Sequence, residues 1–172
     1  HGPLEVLLTV DEGAGMGGAF GLQAGWLEGD ILLNTDSEQD GEAYMGCAGG
    51  VDANIRFKFA HEPVPANLQA FKLQVKGLRG GHSGVNIHQD RGNANKLLAR
   101  LLLDLQAADI HLASISGGTL RNAIPREAEA TILVSAERLD AVRHLVNERT
   151  AVLQAELKEV DSHLQISLSA SE

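Results

Sequence analysis

The stretch FKLQVKGLRGGHSG, residues 71–84, decides the fold that this sequence predicts. Its first half alternates Phe71, Leu73 and Val75 with polar residues, which is the period of a half-buried strand. Its second half is a glycine-rich loop around His82. Because glycines let a backbone come close to a ligand, the loop leaves this imidazole free for chemistry.

Downstream of this stretch, the pattern predicts two helices and three more strands. Asn93 and Asn95 can cap a helix whose leucines, from Leu97 to Leu105, recur at three- and four-residue spacing. The other predicted elements are a strand at Ile110–Ser116, a strand at Glu127–Ser135, a helix from about Leu139 to Lys158 and a strand at Leu164–Leu168. The order β-α-β-β-α-β from Gln69 onward indicates an α+β ferredoxin-like sandwich with both helices on one sheet face.

Upstream, three short apolar runs are typical of buried strands in an α/β sheet: Leu4–Val10, Ile31–Asn34 and Glu42–Cys47. The segment Val51–Phe59 alternates strictly and predicts a half-buried strand.

Glycine density and pattern change together near Gly46–Gly50, and we expect a domain boundary there. Residues 1–47 are then part of an α/β domain, and residues 48–172 form the α+β domain. The chain begins with His1 rather than Met, so a fragment of a longer protein is expected.

Composition excludes several classes of protein. The net charge is −9 without a Lys/Arg cluster, which argues against a nucleic-acid partner. No apolar run approaches the length of a membrane span, so no membrane partner is expected. A single cysteine, Cys47, fits a reducing compartment, and the N-terminus lacks the pattern of a secretion signal. These features predict a cytoplasmic protein.

Acidic residues follow two of the upstream apolar runs. Glu12 comes directly after the first run and Asp36 just after the second. Strand ends of this kind gather active-site groups in α/β sheets, where a carboxylate can bind a metal or act as a general base. Taken alone, each acid is more typical of a solvated turn or a cap.

Two further polar groups lie in the α+β part. His82 can donate to a developing oxyanion, although a surface turn is the alternative. Arg121 can hold a carboxylate and Asn122 can bind a carbonyl, while an asparagine in a turn is often structural.

A competing motif lies at Gly13–Gly18, which satisfies G-x-G-x-x-G after an apolar run and suggests a nucleotide-binding oxidoreductase. Asp11 and Glu12 stand just before it and would repel a pyrophosphate. Further glycines in the stretch up to Trp26 weaken a phosphate-binding helix. The motif therefore fits NAD poorly.

Four clusters together resemble the M20 di-zinc metallopeptidases, and within them the bacterial aminoacyl-histidine (Xaa-His) dipeptidases. They are Thr9-Val10-Asp11-Glu12, Asn34-Thr35-Asp36, Gly80-Gly81-His82-Ser83-Gly84 and Arg121-Asn122-Ala123-Ile124-Pro125. The resemblance implies a zinc-dependent hydrolase of small dipeptides, with two Zn²⁺ per complete enzyme and an inserted lid domain that can form a homodimer.

The resemblance also implies roles for single residues. Glu12 matches the general base, Asp36 a ligand of one zinc, His82 the lid histidine that reaches the substrate carbonyl, and Asn122 a lid residue near the substrate. The family has a second glutamate ligand directly after the general base, and here that position is Gly13.

With Asp36 as the one matching ligand, the isolated chain is expected to bind no catalytic zinc and to be inactive, because a zinc site needs three or four protein ligands. The rival hypothesis is a non-catalytic dimerisation or binding module derived from the lid domain.

Overall fold

The computed structural model describes residues 2–37 and 39–171, and it divides the chain into two compact units, His1–Ala60 and His61–Glu172. The first unit is mostly irregular. Among its described residues there is one helix, α1 (Gly17–Phe20), which follows a turn at residues 12–15. A local contact joins distant parts of this unit, because the Glu5 carboxylate accepts the backbone N–H groups of Glu28 at 2.9 Å and Gly29 at 2.8 Å.

The prediction of four strands in this unit is wrong, since none of its described residues lies in a strand. Their apolar side chains stay exposed, for example Leu8 at 88% and Phe57 at 84%. An extended segment is stable as a strand only when a neighbour takes up its backbone hydrogen bonds and covers its side chains. No described residue of this unit covers them.

The second unit contains all of the described strands and the two long helices. In chain order its elements are β1 (Leu68–Lys76), β2 (Gly81–His82), α2 (Ala94–Leu105), β3 (His111–Gly117), β4 (Ala123–Ile124), β5 (Ala128–Ser135), α3 (Leu139–Glu156) and β6 (Gln165–Ala170). Short 3-10 turns lie at Ile87–Gln89 and Gln106–Ala108.

Four of these strands form one antiparallel sheet in the order β3-β5-β1-β6. This order is the ferredoxin-like arrangement, in which the first strand of the β-α-β-β-α-β unit lies at the centre. The sandwich predicted from the sequence is therefore confirmed. The remaining two strands, β2 and β4, form a separate antiparallel ribbon.

The core lies between the sheet and the two helices. From the sheet, Leu73, Val75 and Ile132 are fully buried, and from the helices Leu98 and Val142 are as well. Helix α2 begins where the sequence predicts, because the Asn93 side chain accepts the backbone N–H of Lys96 at 3.1 Å. Four of its six leucines then fall on the buried face, and Leu103 is exposed.

Strand β3 is the exposed edge of the sheet. Its side chains are exposed along its whole length, including Leu112 at 52% and Ile115 at 54%. An edge strand presents unpaired backbone groups that can bind another strand.

Among the described residues, no helix is long and apolar enough to cross a lipid bilayer.

Candidate functional site

The loop that carries His82 starts with a sharp turn at the end of β1. Gly77 has a φ of +82°, and a Cβ at this position would overlap the carbonyl oxygen of His163. Only glycine adopts this conformation without steric cost. The turn directs the chain away from the sheet and into the segment that contains β2.

The His82 imidazole has a defined tautomer. Its Nδ1 accepts the backbone N–H of Gly84 at 3.0 Å and that of Val85 at 3.2 Å. A nitrogen that accepts two N–H groups carries no proton, so the neutral ring carries its proton on Nε2. The side chain is exposed, and this N–H is the group that it presents as a donor.

Backbone contacts hold the loop around this ring. The N–H of His82 donates to the Asn86 side-chain oxygen at 2.8 Å, and the N–H of Asn86 donates to the His82 carbonyl at 2.9 Å. At the base of the loop, the Arg91 guanidinium donates to the Gly80 carbonyl. The sequence pattern did not indicate Asn86 or Arg91, because both act through contacts that only the folded loop forms.

The β2–β4 ribbon brings three predicted site residues together. His82 pairs with Ala123, and the N–H of Ser83 donates to the Asn122 carbonyl at 2.9 Å. Arg121 is exposed and Asn122 half-buried in the same turn. The histidine and the guanidinium–amide pair, which lie far apart in sequence, therefore belong to one corner of the second unit.

A cavity of about 770 Å³ lies beside this corner, between the start of α2 and the turn at residues 117–121. Ser83 and Pro125 are part of its wall. Its charged lining side chains are Asp90, Arg91, Lys96, Arg100, Arg121 and Glu156. Although the whole chain is acidic, basic side chains outnumber acidic ones here. Together with the positive end of helix α2, they favour an anionic ligand such as a carboxylate.

Two of the lining charges compensate each other. Arg100 donates to both carboxylate oxygens of Glu156 at 2.9 Å. These hydrogen bonds hold the pKa of the Glu156 carboxyl below its ordinary value. The charge of Glu156 is thus compensated by Arg100, and the cationic character of the cavity comes from the other lining side chains.

The sequence pattern did not indicate Lys96 as a cavity residue, because an exposed lysine on a helix is typical of an ordinary surface position.

Glu12 and Asp36 lie in the first unit. Glu12 is exposed in the turn at 12–15, which closes through hydrogen bonds to the Asp11 carbonyl from Gly15 at 3.1 Å and Met16 at 2.6 Å. Asp36 is also exposed, and its N–H donates to the Asn34 side-chain oxygen at 3.2 Å. The prediction that both acids follow strands is wrong, because the segments before them are not strands.

The described residues do not fit the two zinc ions that the resemblance implies. Across residues 2–37 and 39–171, no group of three or more His, Cys, Asp or Glu side chains is placed to hold a metal. Asp36 supplies one carboxylate, and Gly13 has no side-chain atom that could ligate zinc at the place of the second glutamate. Because zinc requires three or four protein ligands, no catalytic step can be assigned to a metal held by these residues.

The fold and the site define an α+β module: a two-helix, four-stranded sandwich with a histidine loop and a basic cavity at one corner. Residues 73–161 match the family profile described as the M20 peptidase dimerisation domain. The chain belongs to this family.

Two relatives extend the likeness over most of the chain. It is 55% identical over 171 residues to the cytosol non-specific dipeptidase of Escherichia coli (strain K12), a match that covers 99% of this chain and 35% of that protein. The crystal structure of aminoacylhistidine dipeptidase from Vibrio alginolyticus superposes with a TM-score of 0.72 at 45% identity, covering 95% of this chain and 34% of the other. This chain therefore spans about a third of the length of these relatives.

A more distant structure shares the fold alone. The hydantoinase/carbamoylase family amidase from Burkholderia ambifaria superposes with a TM-score of 0.50 at 15% identity, covering 61% of this chain and 27% of that one. The predicted family and the mixed α and β fold of its dimerisation domain are thus confirmed, and the chain corresponds to a fragment of the dipeptidases that it resembles.

Proposed function

We propose that this chain is the lid and dimerisation part of a dipeptidase, together with a segment of its catalytic domain at residues 1–47. The observation that carries the proposal is the 55% identity to a dipeptidase over 171 residues. Xaa-His dipeptides are the proposed substrates, in line with the aminoacylhistidine dipeptidase that the chain resembles in structure. The other relative is named as non-specific, so the test includes dipeptides without histidine. A cytoplasmic location is proposed with it.

In this proposal His82 is the donor to the substrate carbonyl. Its Nε2–H points to a role in which the ring donates a hydrogen bond to the oxyanion as the carbonyl becomes tetrahedral. Such a donor acts without accepting a proton from the substrate. A donor of this kind contributes most when it is held in place before the reaction begins, as the contacts of the loop favour.

Arg121 and Asn122 are the proposed substrate-binding residues. The dipeptide has a free carboxylate, and the basic cavity beside Arg121 offers a complementary charge. Asn122 follows Arg121 in the turn before β4, the strand that pairs with the histidine strand, and this proximity to His82 supports a role at the same substrate.

Glu12 is the proposed general base, which takes a proton from water and passes it to the leaving amine. Asp36 is the proposed zinc ligand, and Gly13 removes the second one that the family resemblance expects. Zinc remains the proposed cofactor of the complete enzyme. The isolated chain is proposed to bind no catalytic zinc and to hydrolyse nothing, which calorimetric zinc titration and a dipeptide assay test directly.

A segment exchange tests the proposal in a complete enzyme. The matched 35% of the E. coli dipeptidase is replaced by this chain, and hydrolysis of Xaa-His and other dipeptides is followed. With Gly13 present, turnover is expected to be weak. Gly13→Glu is expected to restore it, because it returns a carboxylate at the position of the missing ligand and its Cβ meets no heavy atom within 4 Å apart from those of its chain neighbours.

Glu12→Gln in the restored enzyme is expected to abolish turnover and leave the metal content unchanged. Glu28→Gln, which changes another exposed glutamate of the same unit, is the matched control and should be neutral. If the exchanged protein hydrolyses dipeptides equally well with Gly13 and with Gly13→Glu, the assignment of this position as a metal ligand is wrong. Retained turnover in Glu12→Gln would remove Glu12 from the mechanism.

The second candidate function is a non-catalytic dimerisation module, which the family match itself favours. Strand β3 suits this role, because an exposed edge strand can pair with its copy in a second subunit. Leu112 and Ile115 would then become buried between the subunits. The same homodimer is compatible with the dipeptidase proposal, so observing a dimer does not distinguish the two functions. Dipeptide hydrolysis in the segment exchange distinguishes them.

A further inference from the structure

Asp161 is a buried carboxylate that lies outside the proposed site. Only 2% of its surface is exposed, and within the described part of the chain it is the one charged side chain that is fully buried. Burial of a charged carboxylate is costly unless hydrogen bonds replace its water. Asp161 lies just beyond helix α3, where its N–H donates to the Leu157 carbonyl at 2.7 Å.

The two carboxylate oxygens of Asp161 hold the two ends of the His82 loop. Oδ1 accepts the backbone N–H of Arg79 at 2.6 Å, and Oδ2 accepts the backbone N–H of Gly92 at 2.6 Å. One side chain therefore joins the entry and the exit of the segment that contains His82. Hydrogen bonds from backbone N–H groups to a charged acceptor are stronger than those between neutral groups.

A second contact closes the same base one residue further in. The Arg91 guanidinium donates to the Gly80 carbonyl, so residues 79–80 and 91–92 are held side by side. On the outer side, Nε of Arg126 donates to the Leu78 carbonyl at 3.2 Å. The loop between Gly80 and Arg91 thus starts from a fixed base.

The orientation of the imidazole depends on the conformation of this loop. The groups that fix Nδ1 as an acceptor are backbone N–H groups of the loop itself, from Gly84 and Val85. If the base opens, these N–H groups move relative to the ring. The Nε2–H tautomer then loses the contacts that select it over the Nδ1–H tautomer.

We infer that Asp161 is a positioning residue that keeps His82 in one orientation and one tautomer by clamping the ends of its loop. The inference rests on the proposed function for its catalytic meaning, since the ordered Nε2–H is the proposed oxyanion donor. The clamp itself is a property of the second unit and can be measured without substrate.

The test compares Asp161→Asn with Asp140→Asn in the 172-residue chain by NMR. Asp140 is a carboxylate on α3 whose side chain is 99% exposed, so its variant removes the same charge without touching the loop. In Asp161→Asn, one of the two backbone N–H groups faces an NH₂ group rather than an acceptor. Hydrogen-exchange protection of the Arg79 or Gly92 amide is expected to fall by about tenfold to a hundredfold.

The decisive readout is the imidazole of His82. Proton–nitrogen correlation across the ring distinguishes the Nε2–H tautomer from a mixture. The wild type and Asp140→Asn are expected to show the single tautomer, and Asp161→Asn a mixture, with the amide signals of Gly84 and Val85 shifted. A loosened Gly92 amide beside an unchanged imidazole, in a protein whose sheet amides remain protected, would overturn the inference.

Native-state exchange of the unmodified chain decides the matter if Asp161→Asn does not fold. The clamp requires the amides of Gly84, Val85 and Gly92 to become exchangeable in the same opening event. If the Gly84 and Val85 amides exchange freely while Gly92 stays protected, the inference fails. By contrast, absence of dipeptide hydrolysis in every segment-exchange variant would contradict the dipeptidase proposal. That outcome would leave the link between Asp161 and the orientation of His82 intact.

Discussion

Substitution of Gly77 by alanine is expected to destabilise the second unit strongly, and Gly118→Ala serves as the matched control. Both glycines have a positive φ, +82° for Gly77 and +73° for Gly118. An alanine in this backbone region costs about 1–2 kcal/mol at either position. The two sites differ in what the new methyl group meets.

At Gly118 the nearest atoms to a Cβ are Asn95 Nδ2 at 3.3 Å and Pro125 Cγ at 3.5 Å, so the methyl group is nearly accommodated. At Gly77 the Cβ would overlap the carbonyl oxygen of His163, which belongs to the backbone two residues before β6 begins. Relief of the overlap must shift β6 against β1, which adds about 1–3 kcal/mol if it resembles overpacking elsewhere. Gly77→Ala is thus expected to lose about 2–5 kcal/mol, and Gly118→Ala about 1–2 kcal/mol.

Urea unfolding followed by far-UV circular dichroism measures both losses, because the long helices and the strands all belong to the second unit. A difference of about 2 kcal/mol between the variants corresponds to roughly 1 M urea between their midpoints. Equal midpoints for the two variants would refute the close approach of the His163 carbonyl to Gly77. That result would also undermine the turn that leads into the His82 loop.

Two further predictions concern the edge strand and the cavity. Ile115→Lys on β3 is expected to raise the dissociation constant of the proposed homodimer by about a hundredfold or more, because like charges would meet between the subunits. Val152→Lys, at a similar exposure on α3, is the control and should leave the dissociation constant unchanged. Analytical ultracentrifugation measures both constants, and equal values for the two variants would argue against β3 as the interface. Arg100→Met is expected to return the lowered pKa of Glu156 toward its ordinary value, whereas Lys96→Met should not. The Arg100–Glu156 ion pair stabilises the fold above the ordinary carboxyl pKa, and this stabilisation is lost as the pH falls through the lowered pKa. NMR titration of Glu156 measures the pKa change, and acid unfolding shows whether stability falls with pH as expected.

The second unit was predictable because its pattern and its packing agree. Four of the six leucines of α2 lie at helical spacing and are buried, and Asn93 caps the helix as expected. The predicted strand at Glu127–Ser135 is observed at Ala128–Ser135, where every second residue is buried. The two-residue strands β2 and β4 were not predicted, since they are too short for any period to be visible.

The first unit shows where pattern reasoning fails. Val51–Phe59 alternates as regularly as β1 does, yet its side chains are exposed and none of its residues lies in a strand. Alternation describes a surface suited to packing, and it becomes a strand only when a partner is present. The candidate site is divided in the same way. The glycine-rich sequence around His82 marks this residue as a candidate, whereas no sequence pattern marks Asp161, because its carboxylate accepts hydrogen bonds from backbone groups far away in the chain.

The central place of β1 has a consequence for synthesis. Both of its neighbours in the sheet, β5 and β6, come much later in the chain, and β6 ends at Ala170. A nascent chain must therefore carry β1 with both edges unpaired until β5 has emerged from the ribosome, and with one edge unpaired until β6 follows. During that interval the apolar face of Phe71, Leu73 and Val75 is a target for chaperones and for self-association. Truncation before Gln165 would make this state permanent on one side, and such products are expected in the insoluble fraction.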